Sequence, residues 1–329
     1  MTKILLRLDA GAAGLGHAVR TSGLLALLDP RPEIVLAGQG EGLEAWFPGI
    51  RRLDCAGPEA LVELCRSERP DALLFDLPRY EMDLFDALRD TGVPSICVDD
   101  WGGEVAADLV INGTVIDAYH RYPRVADTAT ILAGGRYTLI RPAFGQTPWS
   151  DPDDAGLVIV IGSGERARDW AHLLLDGDRA GWGPLTMIVG NAFPSRADFT
   201  ASAARRGIEV RSGLDAARLA ACLSRAALSL ITGGMVVYEA MAVGVPAVVF
   251  PQLDNLVVEA EFLAAAGCIA DLGPEGGMSW PVVSRTVSAL LADRERRREM
   301  SRRQRAMVDG RGMERAAQAI SRFLAERRP

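Results

Sequence analysis

The chain has 329 residues, 49% of them hydrophobic, and a formal net charge of -7 at pH 7. That length and apolar content support two domains with substantial cores, and the acidic balance excludes a general nucleic-acid surface, which needs clustered lysine and arginine. Lys3 is the one lysine, which excludes a P-loop and a lysine Schiff base and leaves phosphate to backbone N–H groups and arginine.

Short apolar runs of strand type alternate with helical patterns from the start. Strands are predicted at Ile4–Leu8, Glu33–Ala37, Ala72–Phe75, Ser95–Val98 and Leu109–Ile111, the pattern of a parallel, doubly wound α/β sheet whose strands lie buried between helix layers. Arg7 and Asp9, in or beside the first run, argue against a signal peptide. After that run stands Gly14-Leu15-Gly16-His17-Ala18-Val19-Arg20, leading into a helical pattern. Strand ends that feed helix N-termini are where open α/β sheets bind ligands, and Gly14 and Gly16 let a substrate approach the backbone. A helix N-terminus disfavours a cation, so His17 is a candidate general base, although a histidine there could also cap the turn or bond a linker. Arg20, one turn on, either contacts phosphate or pairs with Asp9, and the structural pair is favoured. Asp99 and Asp100 close the strand at Val98, where they either face a ligand or shape a turn.

The five cysteines are scattered, odd in number and without a Cys-x-x-Cys pair, so they read as reduced and mostly buried. His17, His120 and His172 show no metal-ligand spacing, and neither metal nor cofactor is expected. The stretch from Gly145 to Asp154 is polar and proline-containing and reads as a linker and hinge. The expected division is a first domain over 1–146, a linker over 147–155, a second domain over 156–311, and a helix over 312–329 that packs back on the first.

The second half repeats the architecture, with strands predicted at Leu157–Ile161, Leu185–Val189, Ile208–Val210, Leu228–Ile231 and Ala247–Phe250. Gly162-Ser163-Gly164 follows its first strand, and Thr232-Gly233-Gly234-Met235 follows Leu228–Ile231 and opens a helix that carries Glu239. Free N–H groups and the helix dipole can hold a diphosphate there without a lysine, and Glu239 can accept from a ribose diol. A tight turn with Glu239 merely favourable near a helix N-terminus accounts equally well for the same residues. Two such domains are expected to face each other across a cleft that takes the ligand. The arginine-rich run Arg294 to Arg305, interrupted by Glu295 and Glu299, reads as a solvated helix face.

Together these residues resemble a family. Gly14 to Arg20, Val98-Asp99-Asp100, Tyr137 to Phe144, Gly233-Gly234 with Glu239, Gly244-Val245-Pro246, Asp254-Asn255 and Val308 to Gly312 are similar to the two-domain nucleotide-sugar proteins of the GT-B type. Among these, they resemble the UDP-sugar hydrolases of pseudaminic-acid biosynthesis and their spore-coat-polysaccharide relatives. The resemblance implies removal of UDP from a UDP-diacetamido-trideoxyhexose by water, with inversion at the anomeric carbon. It implies His17 as the base, Asn255 near the reacting sugar, and Gly14, Gly16, Arg20 and Asp99 around the substrate. The nucleotide would lie on Gly162, Gly233, Gly234, Met235 and Glu239. Tyr80, in Asp76-Leu77-Pro78-Arg79-Tyr80, either replaces the tyrosine of the family's Asp-x-Tyr or leaves that contact absent. The expectation is a cytoplasmic enzyme, monomeric or weakly self-associating, with a UDP-sugar as its small-molecule partner and no membrane insertion. The alternatives are a glycosyltransferase of the same fold and a nucleotide-sugar binding protein without turnover.

Overall fold

Strands buried on both faces need little but apolar side chains, and the centres of both sheets are built that way. The computed structural model describes residues 2–9, 16–152, 156–162, 165–251, 254–273 and 279–327. The chain divides into two units, one of Met1–Ile140 with Arg311–Pro329 and one of Arg141–Gly310.

The first unit holds β1 (Lys3–Leu8), β2 (Glu33–Ala37), β3 (Arg51–Leu53), β4 (Ala72–Asp76), β5 (Ser95–Asp99), β6 (Leu109–Asn112) and β7 (Thr130–Ala133). They form one sheet in the order β3-β2-β1-β4-β5-β6-β7, with all neighbouring strands parallel. The chain winds outward from β1 to β3 and then restarts at β4 on the other side, so the switch point lies between β1 and β4. Ligands of doubly wound sheets bind outside the carboxyl ends of the strands at such a point. Side chains alternate across β1. Ile4, Leu6 and Leu8 pack with Leu24 and Leu25 of α1 (Gly16–Ala26) and with Met313, Ile320 and Phe323 of the helix Gly312–Glu326. Leu5 packs on the opposite face with Leu61 of α2 (Pro58–Glu68) and Phe85 of α3 (Met82–Leu88).

The second unit repeats the plan with β8 (Leu157–Ile161), β9 (Leu185–Val189), β10 (Ile208–Ser212), β11 (Leu228–Ile231), β12 (Ala247–Val249) and β13 (Ala270–Asp271) in the order β10-β9-β8-β11-β12-β13. Its switch point lies between β8 and β11. Its helices are α4 (Pro142–Gln146), α5 (Glu165–Asp176), α6 (Arg196–Ala204), α7 (Ala216–Ser224), α8 (Met235–Val243), α9 (Asp254–Ala265), α10 (Trp280–Ala292) and α11 (Arg294–Met307). The terminal helix Gly312–Glu326 is α12 and belongs to the first unit.

Three strands escape the sequence pattern, and all three are sheet edges: β3, β7 and β13. An edge strand buries only part of its surface, so Arg51-Arg52-Leu53 and the exposed start of Thr130-Ile131-Leu132-Ala133 carry no continuous apolar run. The expected linker is corrected as well. The first unit closes at Ile140 rather than near residue 146, because α4 packs against α7 and α8. The Trp149 N–H donates to Val243 O at 2.8 Å and its indole to Ala226 O at 2.7 Å. Asp151 is held by Arg298 at 2.6 Å and by Arg294 at 3.1 Å. The run Arg294 to Arg305 does lie on a helix, with Arg302 and Arg303 paired to Glu299 at 2.8 Å. All five thiols are free, and four are buried. Among the described residues no helix is long and apolar enough to cross a membrane.

Candidate functional site

Helical spacing and strand register together place four polar side chains at the first switch point. His17, Arg20 and Thr21 stand at positions i, i+3 and i+4 of α1, one face of the helix. On β4, Asp76 is paired in register with Leu8 of β1, so its carboxylate lies where β1 gives way to the turn before α1. The three α1 residues converge on it. His17 Nδ1 lies 2.6 Å from Asp76 Oδ1. Arg20 donates through Nη2 to Oδ1 at 2.6 Å and through Nε to Oδ2 at 3.0 Å. The Thr21 hydroxyl donates to Oδ2. Arg20 also reaches Asp100 Oδ1, just beyond β5, at 2.8 Å.

Asp76 is fully buried. Burial works against its charge, but Arg20 and His17 outweigh it and hold the carboxyl at about 2, against an ordinary 3.8. Burial also works against the charge of Arg20, and Asp100 and Asp76 more than compensate, so its guanidinium is held more firmly protonated than usual. An ionised carboxylate can only accept, so the 2.6 Å His17–Asp76 bond requires the proton on Nδ1, and the Arg20 Nη2 atom 3.0 Å from the same nitrogen is then a neighbour that donates to Asp76 and not to the ring. In the neutral ring Nε2 then carries the lone pair. A base oriented by a buried carboxylate has the logic of nucleophile-activating dyads.

The second unit supplies a different device at its own switch point. After β11, Gly233 has φ of 96° and Gly234 has φ of 79° with ψ of -164°, conformations that side chains disfavour. Gly234 is the N-cap of α8 and offers no side chain to its N–H groups, and a Cβ there would meet no atom of the described residues within 4 Å. The first turn of α8 thus has no side-chain cap, an arrangement suited to an anion. Gly162 follows β8 on the other side of the switch point, with Thr232 Oγ1 4.0 Å from where its Cβ would stand. Met235 is the first residue of α8, and Glu239 lies one turn further in, buried. Burial pushes the Glu239 carboxyl up and Arg141 draws it back, with Arg141 Nη2 donating to Oε1 at 2.9 Å. Among the described residues no three His, Cys, Asp or Glu side chains cluster as a metal site.

No protein-family profile matches the chain. A curated relative, the spore coat polysaccharide biosynthesis protein SpsG of Bacillus subtilis strain 168, is 24% identical over 321 residues, 91% of this chain and 92% of that protein. Among solved structures, MurG of Acinetobacter baumannii superposes with a TM-score of 0.71 at 16% identity, covering 97% of this chain and 99% of its own. The calicheamicin glycosyltransferase CalG4 gives 0.68 at 17% identity, with both chains covered in full at 100%. MnaA of S. aureus, solved with UDP, gives 0.64 at 14% identity over 99% of this chain and 97% of its own. The chain has the GT-B fold and is similar in sequence to SpsG.

Several expected residues sit differently in this GT-B protein from what the sequence suggested. Arg20 pairs with Asp76 and Asp100 instead of Asp9, because Asp9 shares a strand face with Arg7 and takes that guanidinium at 2.6 Å. Its three donor nitrogens are all engaged by those carboxylates, so it orients the network. Tyr80 is an internal brace. Its hydroxyl donates to Val98 O at 2.7 Å and accepts from the Leu77 N–H at 3.0 Å, which commits it to the backbone. Asp99 is buried, and its Oδ2 accepts from the N–H groups of Trp101 and Gly102 and from the Tyr122 hydroxyl at 3.1, 2.6 and 2.8 Å. It shapes the turn. Gly16 opens α1 with no atom of the described residues within 4 Å of a Cβ placed there. Gly14 and the Asn255 side chain lie outside the described residues. Sequence reasoning missed Asp76, Thr21 and the role of Asp100. The available signal was a carboxylate closing the otherwise apolar run Ala72-Leu73-Leu74-Phe75-Asp76 on the strand across the switch point from β1.

Proposed function

We propose that this chain hydrolyses a UDP-acetamido sugar, of the UDP-diacetamido-trideoxyhexose class, with His17 as the base. The observation that carries this reading is the 2.6 Å contact of His17 Nδ1 with Asp76, a buried carboxylate that Arg20 keeps charged. Nε2 takes a proton from water as the water oxygen bonds to the anomeric carbon from the face opposite the diphosphate. The carbon–oxygen bond to UDP breaks with its electron pair, leaving the free sugar with inverted configuration. UDP is a weakly basic leaving group and needs charge stabilisation more than a proton. Gly162, Gly233, Gly234 and the first N–H groups of α8 from Met235 suit that task, and Glu239, set by Arg141, suits the ribose. Asn255 and Gly14 keep their substrate roles by resemblance alone. Similarity to SpsG and a fold shared with MnaA, solved with UDP, support a nucleotide-sugar ligand.

A glycosyltransferase is the second reading, favoured by the fold shared with CalG4. His17 would then take the proton of an acceptor hydroxyl in place of water. The deciding experiment measures UDP release from a panel of UDP-acetamido sugars without acceptor, in wild type and His17→Ala. The hydrolase predicts release that falls by about 10²-fold or more in the variant, the loss expected for a general base. Release that waits for an added acceptor assigns the transferase. UDP binding without turnover under either condition overturns both.

A further inference from the structure

The loops that follow β4, β5 and β6 bring Arg79, Trp101 and Tyr119 together at the carboxyl ends of the first sheet. Trp101 is 38% exposed. Its ring centroid lies 5.4 Å from that of Tyr119 at an interplanar angle of 54°, and the Arg79 guanidinium carbon stands 5.8 Å from the indole centroid. This loop is firmly built. Asp99 accepts from the Trp101 and Gly102 N–H groups, and the Gly103 N–H donates to Arg121 O at 2.7 Å. Gly102 has φ of 76°, and a Cβ on it would come within 2.6 Å of Tyr119 O, so the two loops lock together only with glycine there. The fold thus holds a large apolar ring in water on a fixed support, and covering that ring is favourable.

Its place relates it to the histidine. Trp101 directly follows Asp100, which accepts from Arg20, and Arg20 binds the same carboxylate as His17. A pyranose has one face of C–H groups that packs on an aromatic plane, while its substituents project at the rim. The Arg79 guanidinium, which lies over the indole, can donate there as a rigid fork. Among the described residues Arg79 pairs with no carboxylate.

We propose that Trp101, flanked by Tyr119, is the stacking platform for the sugar ring of the substrate, which packs on the indole surface that Arg79 leaves open, with Arg79 donating to a carbonyl or hydroxyl substituent. This rests on the nucleotide-sugar reading and adds the subsite that distinguishes the sugar from the nucleotide. The test is calorimetric titration of UDP and of UDP-N-acetylglucosamine into His17→Ala protein, to prevent turnover, alone and combined with Trp101→Ala or Trp101→Phe. The platform predicts that Trp101→Ala weakens the UDP-sugar about ten-fold and UDP less than about two-fold, with Trp101→Phe recovering most of the loss. Equal weakening of both ligands, or of neither, overturns the platform while leaving the nucleotide reading intact. Protein that binds neither ligand with Trp101 in place overturns the nucleotide-sugar reading, and the platform with it.

Discussion

Replacing Asp76 by asparagine keeps the shape of a fully buried side chain and deletes its charge. The carboxylate serves His17, two nitrogens of Arg20 and the Thr21 hydroxyl. An amide can still accept from some of these donors, but its own NH2 must then face another donor. Arg20 keeps Asp100, whose side chain is 30% exposed, as its one charged partner. Removing one member of a buried ion pair costs about 3–5 kcal/mol, and the surviving acceptor oxygen and Asp100 place the expected loss near the lower end, about 3 kcal/mol, in urea unfolding at neutral pH. Loss of the oriented tautomer of His17 should lower kcat for UDP release by about 10²–10⁴, with KM changing much less. A variant that loses the stability but keeps wild-type kcat would falsify the orienting role and leave Asp76 as scaffold. Thr21→Val guards against simple unfolding. It removes one bond to the same carboxylate and should cost about 1–2 kcal/mol while retaining most of kcat.

Acid should report the same group. A carboxyl held at about 2 when its ordinary value is 3.8 stabilises the fold above the ordinary value, and that contribution fades as pH falls from about 4 to about 2. It amounts to about 2 kcal/mol, and the wild-type advantage over Asp76→Asn in acid unfolding should shrink across that window. An advantage unchanged down to about pH 2 would mean that Asp76 binds protons equally in the folded and unfolded protein, so that Arg20 and His17 do not favour its charge. Gly234→Ala probes the second unit, since φ of 79° and ψ of -164° form a nearly glycine-only conformation. It should cost about 1–3 kcal/mol in thermal unfolding and weaken UDP by about ten-fold through the methyl at the mouth of α8. An unaltered UDP affinity would remove this turn from the nucleotide site.

The alternation of buried runs made the two sheets legible, because β1, β4, β5, β8 and β11 are covered on both faces and written almost wholly in apolar residues. Three of the four edges, β3, β7 and β13, were not legible, since a strand paired on one side obeys no such constraint; β10 alone among the edges was. His17 could be found because strand, glycine turn and helix are contiguous around it. Asp76 could not be assigned to it by local pattern, since the two are 59 residues apart and meet only through strand order. Arg20 misled for the same reason. Asp9 is near in sequence, yet strand alternation gives it to Arg7, while the carboxylates that Arg20 uses come from the two next strands across the sheet. Tyr80 and Asp99 were each read with a structural alternative, and the bonds that hold them within the loops at that edge came into view only with the fold, because such loops also need internal acceptors and donors.

The packing of α12 has a consequence for how the protein is made. Met313, Ile320 and Phe323 complete the same core as Ile4, Leu6 and Leu24, yet the ribosome adds them after the whole of residues 141–310. The second unit is one uninterrupted stretch and can mature while synthesis continues, whereas the first must wait with an apolar face uncovered. The first unit, though begun earlier, therefore completes its core later than the second, and until α12 docks the apolar face formed by Ile4, Leu6 and Leu24 is left without that cover.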